Sequence, residues 1–124
     1  MQTFATPDYA PCPIRDADTG QVLVAGCFRA RTGRARRRGL LGRDSLPGGR
    51  GLLLGEGVVH MAGMRFALDL VFLDRRRRVI KVAENVRPGL RLRGSVRARW
   101  TLEMAAGGAQ QAGLRAGRRL DFDA

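Results

Sequence analysis

His60, Asp69 and Glu103 are the side chains of this 124-residue chain whose types could share acid–base work. An imidazole titrates near neutrality and a displaced carboxyl can give or take a proton beside it, so His60 with Asp69 or Glu103 defines the enzyme alternative. His60 is the single histidine. One His and two carboxylates also resemble a divalent-metal set, yet no His-x-His or paired-carboxylate spacing joins them, and neither metal nor cofactor is predicted. Ser45 and Ser95 lie in loop-like stretches without a nucleophile elbow, and PGGRG and AAGGA lack the lysine of a phosphate cradle. No catalytic residue is assigned.

Each of the three also has a plainer role. A lone histidine is most often a hydrogen-bonded spacer, an isolated buried acid most often anchors a loop, and Glu103 falls on the polar side of an alternating run, where glutamates are solvated or ion-paired. Binding, rather than catalysis, is the leading expectation: a non-enzymatic domain for a peptide, protein or small molecule, with His60, Met64, Arg65, Asp69, Glu103 and Gly107 as the candidate binding or structural site.

These residues need elements to hold them. In HMAGMRFALDLVFLD, residues 60–74, the run from Met64 to Leu73 reads as the strongest strand, with Asp69 on one face and Leu68, Leu70 and Phe72 on the other. A carboxylate inside such a strand must be paired, capped by backbone amides or protonated. VIKVAENV reads as the antiparallel return, with Arg75 to Arg78 at the turn. SVRARWTLEM alternates and predicts a half-buried strand. A hairpin of Pro13–Arg15 and Gln21–Ala25 around Asp18, Thr19 and Gly20, a short strand at Leu52–Leu54 and a closing strand in RRLDF complete the sheets. Thr32 can cap a helix from Arg34 to Leu41, Gly42 suits its end, and Ala109 to Ala112 allow one more turn. The fold class predicted is mainly β, at the margin of α+β: a small curled or closed antiparallel β-barrel-like domain with one or two short helices. Residues 1–11 are expected to be a flexible segment before a single β-rich domain at 12–124.

Composition narrows the partners. The formal charge is +12, carried by 23 basic residues of which Lys81 alone is not arginine. Arginine suits phosphate, so an RNA or DNA module built on Arg34–Arg38 and Arg75–Arg78 is a third alternative. The arginines are scattered through every element and the aromatics sit in core-like runs, which favours weak nonspecific polyanion binding. No apolar run reaches bilayer length and the start lacks an export signal, so a cytoplasmic monomer without membrane insertion is expected. Cys12 and Cys27 flank the first hairpin and could face each other; reduced, buried thiols are expected over a bridge.

RGLLGR, GLLL, HMAGMRFALDLVFLDRRRRVIKV, RPG and TLEMAAGGAQQAGLRAGRRL, in this order, resemble the prokaryotic family called domain of unknown function 192, over roughly residues 22–122. The family pattern falls on Gly39, Leu40 and Gly42, on His60, Met64 and Asp69, and on Leu102, Glu103 and Gly107. Two features depart from it: Met61 stands where a threonine is usual, and Arg76 and Arg77 replace an Asp-Gly type of turn. The resemblance implies a small, mostly β, barrel-like domain with a short helix and no established activity.

Overall fold

The computed structural model describes residues 4–123, so Met1 to Thr3 and Ala124, the outer ends of the two expected segments, lie outside it. Eleven strands and two short helices follow in chain order among the described residues: β1 (Tyr9–Pro11), β2 (Ile14–Asp16), β3 (Val22–Val24), β4 (Gly26–Ala30), α1 (Gly33–Arg38), β5 (Arg50–Leu54), β6 (Val58–Val59), β7 (Leu68–Leu73), β8 (Val79–Val86), β9 (Arg93–Gly94), β10 (Trp100–Ala105), α2 (Gly108–Gln111) and β11 (Leu120–Asp121). The mainly β class therefore holds. None of the helices is long and apolar enough to cross a membrane.

One sheet organises the molecule. Six strands lie in the order β1-β4-β5-β10-β7-β8, with β11-β2-β3 and β6-β9 forming two smaller sheets. The large sheet is open, with β1 and β8 at its edges, so of the curled or closed forms expected the closed one is not found, and the sheets pack as layers. It is not wholly antiparallel either, because β4 and β5 pair parallel (Cys27 opposite Gly51, Phe28 opposite Leu52). A parallel pair needs a crossover, and the stretch containing α1 supplies it.

The sheet has two covered faces. Leu52, Leu54, Leu68, Leu70 and Phe72 pack on one side with Ala35, Leu40, Val59, Met61 and Phe4. Leu53, Val71, Leu73, Leu102 and Met104 pack on the other with Ile14, Val24, Ala109, Leu120 and Phe122. The first layer is α1 with the chain around β6, and the second is the three-stranded sheet with α2. This is why every residue of β7 is buried: a strand covered on both sides has no solvent face to mark with polar residues. β7 begins at Leu68, four residues later than expected, because Met61 and Met64 close a turn (Met64 N to Met61 O 3.2 Å).

Residues 4–11 are part of the packing. β1 pairs with β4 through Tyr9, Ala10 and Pro11, and the Phe4 ring, 5.0 Å from Tyr9 and 5.1 Å from Phe28, is buried in the first layer. From Phe4 to Pro11 the chain thus contributes an aromatic ring to the first layer and an edge strand to the large sheet. Cys12 and Cys27 are both buried free thiols, and their residues are joined instead by a backbone bond, Cys12 N to Cys27 O at 2.8 Å.

Candidate functional site

The six candidate residues separate into two groups on opposite faces of the large sheet, with one left over. Asp69 and Glu103 sit on neighbouring strands, but Glu103 is in register with Leu52 and Leu70 on the first face, while Asp69 is opposite Met104 on the second. Side chains alternate along a strand, so two residues one step out of phase point to different layers.

Asp69 is fully buried. Its Oδ1 accepts from the Asn85 amide at 2.8 Å, and its Oδ2 accepts from the Gly107 and Ala109 amides at 3.0 Å each. The first of these donors exists because the β7–β8 ladder slips between Leu68 and Leu70, a bulge in which Asn85 takes φ 50° and presents its N–H to the strand beside it. The other two belong to the turn into α2, where Gly107 takes φ 88°. Three amide donors balance the burial of one carboxylate, and Asp69 with Gly107 ties β7, β8 and α2 together.

Arg65 belongs to neither group. Its guanidinium pairs with Asp44 at 2.9 Å with both side chains largely in water.

His60, Met64 and Glu103 come together. They line a cavity of about 360 Å³ with the last turn of α1, Gly39 to Leu41, Leu54, Glu56, Val58, Val59 and Ala62. Glu103 forms its floor. This corrects the expectation of a solvated glutamate: β10 is a central strand with layers on both sides, so its alternation separates two interiors rather than inside from outside. The Glu103 carboxyl is buried and its Oε1 has no hydrogen-bond partner among the described residues. Burial first, and then the charge of Glu56, push its pKa up to about 7. It therefore changes charge across the neutral range.

The wall above Glu103 is a helix end. Thr32 caps α1, its hydroxyl oxygen accepting from the Ala35 amide at 3.1 Å, and Thr32 also donates to Asp8 at 3.2 Å. Gly39 then turns the chain with φ 52° and ψ −123°, its own N–H bonding Ala35 O. A Cβ at Gly39 would lie 3.4 Å from Glu103 Oε1, so the glycine brings bare backbone against the carboxyl. His60 stands exposed at the mouth, where its Nδ1 accepts from the Ala62 amide at 3.2 Å. Glu56 comes from the β5–β6 turn, fixed by Thr101 Oγ1 donating to its carbonyl at 2.6 Å.

Three of these features were missed in the sequence: Glu56, the apolar wall of Leu41, Val58 and Val59, and the burial of Glu103. The signal for Glu56 was an acid alone between two glycines in a basic chain. Among the described residues no cluster of three or more His, Cys, Asp and Glu is placed to hold a metal ion.

Comparison with known proteins follows the same outline. The model of a protein family described as Uncharacterized ACR, the domain of unknown function 192, matches residues 15–122. Two crystal structures share the fold. One, a protein of unknown function from Novosphingobium aromaticivorans DSM 12444, superposes with a TM-score of 0.75 at 22% identity, over 91% of this chain and 84% of the other. The second, from Sinorhizobium meliloti 1021 and solved as a proposed transcription regulator, gives 0.76 at 21% identity over 98% of both chains. No curated protein matches.

Proposed function

The chain belongs to the Uncharacterized ACR family, domain of unknown function 192, and from that premise we propose a small non-enzymatic binding domain whose ligand enters the cavity between α1, the β5–β6 turn and β10. The observation that carries this reading is the Glu103 carboxyl, buried with an unpartnered oxygen at the cavity floor. A buried polar atom without a partner costs free energy in the empty protein, and a ligand that supplies the missing hydrogen bond recovers it. The surroundings fit the same role. Leu40, Leu54 and Val59 give apolar walls, Met64 an adaptable one, and His60 a polar group at the entrance. About 360 Å³ is room for a small molecule or one side chain of a peptide.

Catalysis is not needed to account for these groups. Asp69, the partner first considered for His60, has three of its four lone-pair directions occupied by amides on the opposite face. The domain is taken to act as a cytoplasmic monomer.

The test is a fragment screen by thermal shift on the wild type and on Val59→Trp, which fills the cavity. Hits should raise the wild-type melting temperature, with a stabilisation of about 2.7 kcal/mol at a hundredfold excess over Kd, and should be lost in Val59→Trp while its circular dichroism stays native. Hits that bind both proteins equally, or an empty screen, would end the proposal.

A further inference from the structure

The charges around the cavity are arranged in a way its arginine-rich wall conceals. Arg36, Arg37 and Arg38 all contribute to the lining, which at first reads as an anion site. Their guanidinium groups are directed elsewhere. Arg37 Nη1 and Arg36 Nη2 reach back along α1, to 3.3 and 3.7 Å from where a side chain on Gly33 would begin, as helical side chains lean toward the N-terminus. Arg38 Nε donates to the Leu41 carbonyl at 3.4 Å. The charged group that acts on Glu103 is another acid, Glu56, and no arginine counters it. Hence the cavity is lined by two carboxylates, one of them with a buried, unpartnered oxygen, under apolar walls and beside arginines whose guanidinium groups lie back along α1 or on the Leu41 carbonyl.

We infer that the cavity takes an alkylammonium: a protonated amine whose N–H groups donate to Glu103 and Glu56, on an apolar body lying along Leu40, Leu54 and Val59. This rests on the binding reading and gives it a ligand class. An ammonium supplies up to three donors and the positive charge that the floor lacks, whereas a hydroxyl supplies one donor and a carboxylate none. Isolated divalent metal would ask for a third carboxylate or imidazole in reach, and the described residues offer no such cluster. The amine could be that of a free small molecule or the side chain of a lysine in a peptide; both present the same head group.

Binding must then depend on pH. The groups facing Glu103 are Glu56 from the β5–β6 turn, His60 at the mouth and the arginines of α1, with Leu52 and Leu70 on the flanking strands. Because Glu103 is held near pH 7, it is about one tenth ionised one unit below and nine tenths ionised one unit above, so amine affinity should rise roughly tenfold from pH 6 to pH 8.

Titrations of the full-length, ¹⁵N-labelled protein with n-butylamine, 1-butanol and butyrate, followed through the Gly39, His60 and Glu103 amides, test this. n-Butylamine should saturate these shifts, gain about tenfold in affinity between pH 6 and pH 8, and bind at least tenfold more tightly than the alcohol or the acid. Glu103→Gln should abolish both the preference and the pH dependence. If that variant does not fold, Glu56→Gln carries the test: the amine should weaken and 1-butanol should not. An acetylated, amidated Gly-Lys-Gly peptide distinguishes the sources, since stronger binding than n-butylamine assigns the cavity to a lysine side chain and weaker binding to a free amine. If butyrate or 1-butanol binds here as well as the amine, the ligand class falls and the binding cavity stands. If no probe moves these amides, both fall.

Discussion

Two carboxylates one residue apart in strand register have opposite fates, and the difference is a count of donors. Asp69 receives three backbone amides, whereas Glu103 keeps an oxygen without any. The first is bound into the fold; the second is left for something else. Asp69→Asn conserves shape but turns an amide group toward N–H donors, leaving at least one buried donor unmatched. It should cost about 2–3 kcal/mol in urea unfolding and leave probe binding at the cavity unchanged, because Asp69 serves the other face. A loss below about 1 kcal/mol, or a change in cavity affinity, would contradict this assignment. The sequence made the demand on Asp69 readable, since a carboxylate in FALDLVFL must find amides or a cation. It could not show the same for Glu103. TLEM has the alternation of a half-exposed strand, and only the layer contributed by residues 33–64 turns its polar side into an interior.

At the level of elements, strong periodicity was read unevenly and nonlocal pairings were missed: of SVRARWTLEM only Trp100 onward is strand, with Val96 exposed in a turn before it. VIKVAENV is β8 from end to end, because its partner is the preceding strand and a tight turn joins them. β4 was overlooked: GCFRA has little pattern of its own and is a strand because it lies parallel to β5, across the α1 crossover. The two-residue β6 and β9 depend on an equally nonlocal contact, Gly57 carbonyl packed against Gly94 so closely that a Cβ on Gly94 would be 2.1 Å away. α1 was anticipated with its Thr32 cap, but it stops at Arg38 rather than running to Leu41. Gly39 is the reason. Its φ of 52° with ψ of −123° is a conformation that only glycine enters at low cost. Gly39→Ala should therefore destabilise by about 1–3 kcal/mol in chemical denaturation. It should also lower amine affinity at the cavity, since the methyl group would stand beside Glu103 Oε1. An alanine variant as stable as the wild type would mean that the helix end relaxes, and that the wall over Glu103 is softer than described.

For the whole molecule, the curled or closed, barrel-like form expected is met only loosely, because the sheets do not close, and the reason is physical. Many short strands can be buried by curling one sheet or by stacking layers, and composition does not choose; the parallel β4–β5 pair and the nonlocal β11-β2-β3 sheet decide for layers. The same layering distributes the +12 charge. Arg75 and Arg76 stand with Arg97 and Arg99 at the turn before β8, while Arg87, Arg91 and Arg93 line a groove after it. Eight residues of strand separate the two groups, roughly 26 Å at 3.3 Å per residue. The arginines of α1 lie on yet another element. Charge spread in this way attracts any polyanion without aligning it, so binding to heparin or to a random single-stranded 20-mer should be weak, indifferent to sequence, and lost steeply as salt rises from 50 to 200 mM. Neutralising one group, for instance Arg75, Arg76, Arg97 and Arg99 to Gln, should reduce the salt slope in proportion to the charges removed rather than abolish adhesion. Anisotropy titrations over that salt range decide the matter. A preferred sequence, or binding that persists undiminished at high salt, would require a single organised track. The arginines are instead spread over several elements, and on the proposed reading the acidic cavity of Glu103 and Glu56 is the place where a positive ligand has something to gain.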